Sequence, residues 1–347
     1  MAVSFFQGSK KYKMKYIVGA YATAPSLAVD DKSVEHDFYE NLIDSMPEIR
    51  GLEIPFWGKE IHRFGSDFLL DIIQPHWENV LTCIPGTMNS LSKNSKFGLA
   101  SDDDLGRLDA IEMHKRANQS LHKINEYYGR KSVIAVHIAT APSMPVEGVL
   151  SSTGSLLKSM EEILSWDWQG AKIVIEHCDT AVNGRNYEKG FLPLKDEIKT
   201  LLKIRKIFDV GITINWARSA IEGRSVDTPL EHLRLLSINK LLSGLMFSGV
   251  SKNDRKYGSW KDNHMPFSQP SICVNNDFFE KNSLLTQKNI TSTLGEIDVN
   301  NLDYLGIKIL AMPIDKSSIK TRVGYNKTAI STIEESLKSL NRGYTHK

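Results

Sequence analysis

Eight short apolar runs, separated by segments of helical periodicity, constrain the fold of this chain more than any other feature. They fall at residues 16–21, 51–57, 80–84, 132–138, 173–175, 211–216, 245–250 and 306–313. Each is nearly continuous in Val, Ile, Leu and small residues, the pattern of strands buried on both faces of a parallel sheet. Between them, apolar residues spaced by three and four mark helices over 34–46, 67–73, 104–128, 156–164, 194–208, 229–242 and 329–340. The acidic cluster Asp102-Asp103-Asp104 suits a helix N-terminus, and Pro229 suits a first helical turn. Eight strands alternating with helices is the count of an α/β (β/α)8 TIM barrel, and 347 residues can hold one as a single domain over 1–347. A doubly wound open sheet is the alternative, but it carries fewer strands and a glycine-rich first turn that is missing here. The stretch at about 252–292 is long and weakly periodic, which marks it as a functional loop.

Charge and cysteine usage narrow the function classes. A net charge of +2 spread along the chain provides no field for nucleic acid or membrane surfaces, and neither is expected as a partner. No window approaches the ~18 apolar residues of a membrane span. The N-terminal order, a short apolar run and then Lys10, Lys11, Lys13 and Lys15, is the reverse of a signal peptide. Cys83, Cys178 and Cys273 include no C-x-x-C pair, so a reducing cytoplasmic setting is expected. An exposed apolar patch on the helix ring would make a homodimer.

In a barrel, residues at the carboxyl ends of strands converge on one pocket. Glu53 lies inside the run Gly51-Leu52-Glu53-Ile54-Pro55, where a carboxylate is costly unless paired or working. Ile173-Val174-Ile175 stops abruptly at Glu176-His177-Cys178-Asp179, and nothing in that strand explains Glu176 except a partner in the pocket. His137 ends its run before Ala141-Pro142; a satisfied core histidine is the plainer reading, and its strand-end position favours a site role. His177 alternates to the other strand face and packs between barrel and helices if the strand continues that far, while Asp179 begins a loop. Asn215, Trp216, Arg218 and Glu222 follow the sixth run and Ser248 lies in the seventh. Arg218 is either an anion clamp or a solvated loop residue. In the long loop, Trp260 and the D-x-H pair Asp262 and His264 stand among aromatics, and two side chains two apart in extended backbone face the same way and can share a ligand.

Taken together, Gly51–Phe56, Ile84-Pro85-Gly86-Thr87-Met88, Phe97-Gly98-Leu99-Ala100-Ser101, Trp166-Asp167-Trp168, Ile175–Asp179, Asn215–Glu222 and Asp262-x-His264-x-Pro266 carry a resemblance. Over its length the chain resembles the xylose-isomerase-like superfamily of TIM barrels, which holds sugar isomerases, epimerases and an apurinic endonuclease. More closely it is similar to a bacterial family designated domain of unknown function 4862. The resemblance implies a carbohydrate substrate and, in metal-dependent members, a Glu ending the fifth strand, a D-x-x-H after the sixth, a His on the seventh and a Glu on the eighth. The endonuclease adds a D-x-H after the seventh. Glu176 matches the first and Asp262 with His264 the last, and His137 matches a fourth-strand histidine. The sixth position reads Asn215-x-x-Arg218, the seventh Ser248, and the eighth run ends Ala311-Met312-Pro313 without a carboxylate.

Arg cannot ligate a metal and sets a fixed positive charge where an ion would sit. The residues therefore favour metal-independence, with no cofactor. A divalent Mn, Zn or Mg would have to be held by His137, Glu176, Asp262 and His264. The expectation is an isomerase or epimerase acting on a sugar or derivative, with Glu53, Glu176, His137 and Arg218 catalytic and Asn215, Trp216, Glu222, Trp260, Asp262 and His264 binding substrate. A lyase or glycoside-cleaving enzyme, and a barrel that binds carbohydrate without catalysis, are the alternatives.

Overall fold

The computed structural model describes residues 14–270 and 278–344, so part of the loop expected at 252–292, together with Cys273, Lys10, Lys11 and Lys13, lies outside the described residues. Eight parallel strands close into a barrel in chain order. They are β1 (Tyr16–Val18), β2 (Ile49–Pro55), β3 (Asn79–Thr82), β4 (Val133–Ile138), β5 (Lys172–His177), β6 (Val210–Asn215), β7 (Leu242–Phe247) and β8 (Tyr304–Ile307). The helices are α1 (Ala20–Thr23), α2 (Lys32–Ser45), α3 (Ser66–Ile72), α4 (Ile84–Leu91), α5 (Asp104–Tyr128), α6 (Thr153–Leu164), α7 (Leu194–Ile204), α8 (Trp216–Gly223), α9 (Thr228–Ile238), α10 (Gln287–Gly295) and α11 (Ile319–Tyr344). Asp31 and Asp103 cap α2 and α5 by accepting backbone N–H bonds, and Gly129 ends α5 in the left-handed region at φ 60°. No helix among the described residues is long and apolar enough to cross a membrane.

Strand alternation sorts the side chains into layers. Ile17, Val80, Ala135, Val174, Met246 and Tyr304 form an apolar plug inside the barrel. Two residues further along β4 and β5, on the same face, stand His137 and Glu176. The odd residues of β5, Ile173 and Ile175, join the larger core between barrel and helices. His177 shares their parity and so lies outside the barrel wall, as its alternation requires. The barrel narrows at Gly244, where an added Cβ would come within 2.2 Å of the Tyr304 ring.

Four local expectations are corrected. Pro85 does not end a strand into a loop; it stands in the first turn of α4, where its missing N–H costs nothing. Trp216–Gly223 is a helix, since Trp216, Ala217, Ala220 and Ile221 bury one face at helical spacing. The end of the stretch 252–292 is helical, since Gln287–Gly295, capped by Thr286, begins inside it and runs past it, and the preceding segment is pinned by a Gly249–Met265 bridge. The eighth strand stops at Ile307, because ladder pairing with β7 ends at Phe247–Ile307 and the chain then turns to bond His264 through the Leu310 N–H. The residue at the mouth end of β8 is thus Lys308, not Ala311-Met312-Pro313.

Candidate active site

Above the apolar plug, Glu53, His137, Glu176 and Lys308 meet, all at most 1% exposed. His137 Nδ1 lies 3.2 Å from Glu53 Oε1 and 3.5 Å from Glu176 Oε2. Its Nε2 hydrogen-bonds the Tyr304 hydroxyl at 2.7 Å, and that hydroxyl also bonds Thr213. The Lys308 ammonium stands 2.9 Å from Glu53 Oε2 and 3.6 Å from Glu176 Oε1, over the ring of Tyr21. From α8, the Arg218 guanidinium reaches Glu176 Oε1 at 2.7 Å and Asp262 Oδ2 at 2.9 Å. Lys189 adds a third cation, 3.2 Å from the same Asp262 oxygen, and His264 Nδ1 is 3.5 Å from Asp262 Oδ1.

Burial alone would push both central carboxyls up. For Glu53 the Lys308 ammonium and the His137 hydrogen bond outweigh it, and the carboxyl falls below its ordinary value. Glu176 falls further, well below the carboxylate range, because Arg218 and Lys308 both face it. Burial would likewise lower His137, but contacts with Glu176 and Glu53 raise it. Burial dominates at His264 and brings it down to about 4, a neutral imidazole.

The charge contacts are close, yet several are not aligned as hydrogen bonds. Among the described residues, Glu53 Oε2, both Glu176 carboxylate oxygens, Lys308 Nζ, Asn215 Nδ2, Asp262 Oδ1 and His264 Nδ1 are buried without a hydrogen-bond partner. Most of these atoms sit in the ion pairs described above, which leaves them hydrogen-bonding capacity that a polar guest can take up.

Of the residues read from sequence, the structure brings together Glu53, His137, Glu176, Arg218, Asp262 and His264. Asn215 joins them at the end of β6, with its Oδ1 accepting from Ser248 Oγ at 2.8 Å. Trp216 does not: Asn215 points inward, so the next side chain points out, and the indole N–H donates to Thr293 on α10. Glu222 does not either, since α8 climbs about 6 Å per four residues from Arg218 and carries Glu222 to His177 and His232 behind the wall. Trp260 stacks under Arg224, 5.3 Å from ring to guanidinium, and no contact ties it to the central carboxylates. Lys308, Lys189 and Tyr304 were not read from sequence. Lys308 left a signal, a charge inside the apolar run Leu305-Gly306-Ile307-Lys308-Ile309-Leu310; Lys189 and Tyr304 left none.

Glu53, His137 and Glu176 offer ligand atoms within 4.8 Å of one another, so a carboxylate/His cluster of metal-binding type is present. The complete set does not fit a divalent ion. The Lys308 ammonium and the Arg218 guanidinium stand against the oxygens an ion would need, and neither can be deprotonated cheaply beside buried carboxylates.

The barrel topology and the polar layer at the strand ends define a (β/α)8 barrel, a fold shared with solved sugar epimerases. Among similar solved structures, D-psicose 3-epimerase in the presence of D-fructose superposes with a TM-score of 0.56 at 12% identity, over 93% of this chain and 99% of that one. The IolI protein with a bound zinc atom gives 0.53 at 10% identity, over 93% and 99%. At these identities the likeness concerns the fold. The chain belongs to the family described as Domain of unknown function (DUF4862), which matches residues 17–325. An uncharacterised protein of Salmonella typhimurium is 37% identical over 295 residues, 85% of this chain and 89% of its own.

Proposed function

We propose that the protein is an isomerase or epimerase of a sugar or sugar derivative that moves a proton beside a carbonyl using carboxylates, with fixed protein cations in place of a metal ion. The observation that carries this reading is the cluster of buried charged groups, Glu53, Glu176, Lys308 and Arg218, whose ion-paired atoms include several without an aligned hydrogen bond. Alternating donors and acceptors in a closed polar layer suit a polyhydroxylated guest. Glu53, kept ionised by the Lys308 ammonium and the His137 hydrogen bond, is the base that removes the proton. The developing enediolate oxygen is held by Lys308 and Arg218, which need no reorganisation as charge builds. His137, whose Nδ1 faces both carboxylates, gives its Nδ1 proton to Glu176 and takes in its place the proton gained at Glu53, and Glu176 returns its proton to carbon.

Solvent-deuterium exchange, followed by NMR over a panel of free and phosphorylated ketoses and aldoses, tests this. Deuterium should enter at the carbon next to the carbonyl of the sugar that also raises the melting temperature. Glu53→Gln and Glu176→Gln should cut exchange by roughly 10²–10⁴ while the sugar still shifts melting. Unchanged exchange in both variants would sink the proposal. One observation favours a second reading: every central carboxylate has a counter-cation, as in a barrel that binds carbohydrate without turning it over. A sugar that stabilises the wild type without any exchange would establish that reading instead.

A further inference from the structure

Behind the barrel wall lies a second cluster that the proposed chemistry does not use. His177 at the end of β5, Glu222 on α8 and His232 on α9 each offer one ligand atom, all within 4.8 Å of one another. His177 Nε2 is 3.2 Å from Glu222 Oε2, and His232 Nε2 is 3.5 Å from Glu222 Oε1. A tetrahedral zinc ion with arms of ~2.0–2.1 Å separates its ligands by about 3.3 Å. The far nitrogens of both rings are already held: His177 Nδ1 by Glu197 Oε2 at 2.8 Å, and His232 Nδ1 by Ser219 Oγ at 3.0 Å. Glu197 is itself fixed by the Thr140 hydroxyl at 2.7 Å. Carboxylate–histidine pairs of this kind orient imidazoles whose other nitrogen binds metal. Besides these groups, the Thr180 N–H donates to Glu222 Oε2 at 3.0 Å, and Arg185 reaches only the Glu222 carbonyl.

Another buried histidine–carboxylate contact, between His62 and Glu35, shows what an ordinary structural pair looks like. Glu35 takes His62 Nε2 at 3.0 Å and spends its remaining capacity on the Ser26 hydroxyl and N–H. At Glu222, by contrast, two imidazoles turn the same kind of nitrogen toward one carboxylate.

We propose that His177, Glu222 and His232 form a zinc site outside the barrel, with a water completing the coordination. Two imidazoles and one carboxylate are a donor set suited to zinc. The ion clips β5 to α8 and α9 directly behind the active centre, since His177 follows Glu176 and Glu222 lies one helical turn beyond Arg218. It would thereby hold in register the two elements that present Glu176 and Arg218.

The test is zinc binding to chelator-stripped protein, read by elemental analysis after desalting and by X-ray absorption at the zinc edge. Wild type should retain one equivalent, with outer-shell scattering from two imidazoles, and should melt higher with zinc than without. His137→Asn should retain it too, whereas His232→Gln should lose it, and Glu197→Gln should weaken affinity 10–100-fold. Failure of wild type to retain zinc overturns the proposal. So does a one-imidazole spectrum, or zinc lost in His137→Asn and kept in His232→Gln, which would place the ion at the barrel mouth. The wild-type spectrum counts imidazoles even if His232→Gln does not fold.

Discussion

Replacing Lys308 by Met removes the ammonium and keeps most of the stem's volume, and its effect can be worked from the geometry. The ammonium lies 2.9 Å from one carboxylate oxygen and 3.6 Å from another, in a place with no solvent. At an effective dielectric of ~20 each contact is worth roughly 4–6 kcal/mol, offset by several kcal/mol for desolvating the ammonium. Because truncation leaves Glu53 buried with only His137 to compensate it, Lys308→Met should cost about 3–5 kcal/mol at pH 7. The pH dependence has a definite sign. In wild type the Glu53 carboxyl is depressed, so its stabilising contribution is present above the unfolded value of ~4.3 and is lost as pH falls through the lower folded value. In the variant, burial prevails and the carboxyl rises above ~4.3, so protonation relieves the strain and the deficit shrinks as pH falls from 7 towards about 5. Urea unfolding of both proteins at the two pH values, followed by far-UV circular dichroism, reads this directly. The double variant Lys308→Met/Glu53→Gln should recover part of the loss, with a coupling of roughly 0.5–3 kcal/mol. A deficit under about 1 kcal/mol at pH 7, or one that grows on acidification, would refute the assignment of Lys308 as the counter-ion of Glu53.

Arg218→Lys should be costly despite keeping the charge, because a point ammonium cannot span Glu176 and Asp262 as the guanidinium does; a measured loss in the range of alanine replacement, and not a neutral swap, is expected. Tyr304→Phe leaves His137 Nε2 and Thr213 without their shared hydroxyl partner and should cost about 1–3 kcal/mol in urea unfolding. Gly244→Ala should destabilise by about 1–3 kcal/mol through collision with the Tyr304 ring, and pairing it with a smaller residue at 304 should relieve part of that loss. Below pH ~4.3 the wild type should lose stability as Glu53 and Glu176 protonate against their depressed values, and Glu176→Gln should show a shallower acid limb in the same titration.

The barrel was legible because its signal is repeated: each strand of a parallel sheet is apolar on both faces, and eight such runs leave few topologies. Strand ends were less legible, since an apolar run continues past the last ladder pair whenever the chain stays buried. The run at 306–313 is the telling case. Its residues beyond Ile307 leave the sheet to pack against the loop carrying His264, so counting to the end of the run hid Lys308. The criterion that found Glu53, a charge inside an apolar stretch, applies equally to Lys308 once the strand is ended at Ile307. Trp216 and Glu222 failed for a geometric reason. Read as loop, Asn215–Glu222 lies at the barrel mouth throughout; wound into α8, only Arg218 stays there while Glu222 is carried to the outer side of β5.

The electrostatics explain why the two cations stand at the barrel mouth together. A divalent ion between Glu53, Glu176 and Asp262 would supply two positive charges. Lys308 and Arg218 supply two positive charges to these carboxylates, and Lys189 adds a third at Asp262. Removing either cation would leave buried carboxylates uncompensated, which costs several kcal/mol each. An ammonium and a guanidinium act through donated hydrogen bonds and cannot offer an open coordination position. In the proposed reaction a substrate carbonyl would accept N–H bonds from Lys308 and Arg218. Lys308→Glu, which places a carboxylate at the mouth end of β8, should let the barrel mouth bind one more divalent ion than the Lys308 protein does, countable by elemental analysis with both proteins in a His232→Gln background; no gain of metal would refute the reading that the Lys308 ammonium opposes an ion there.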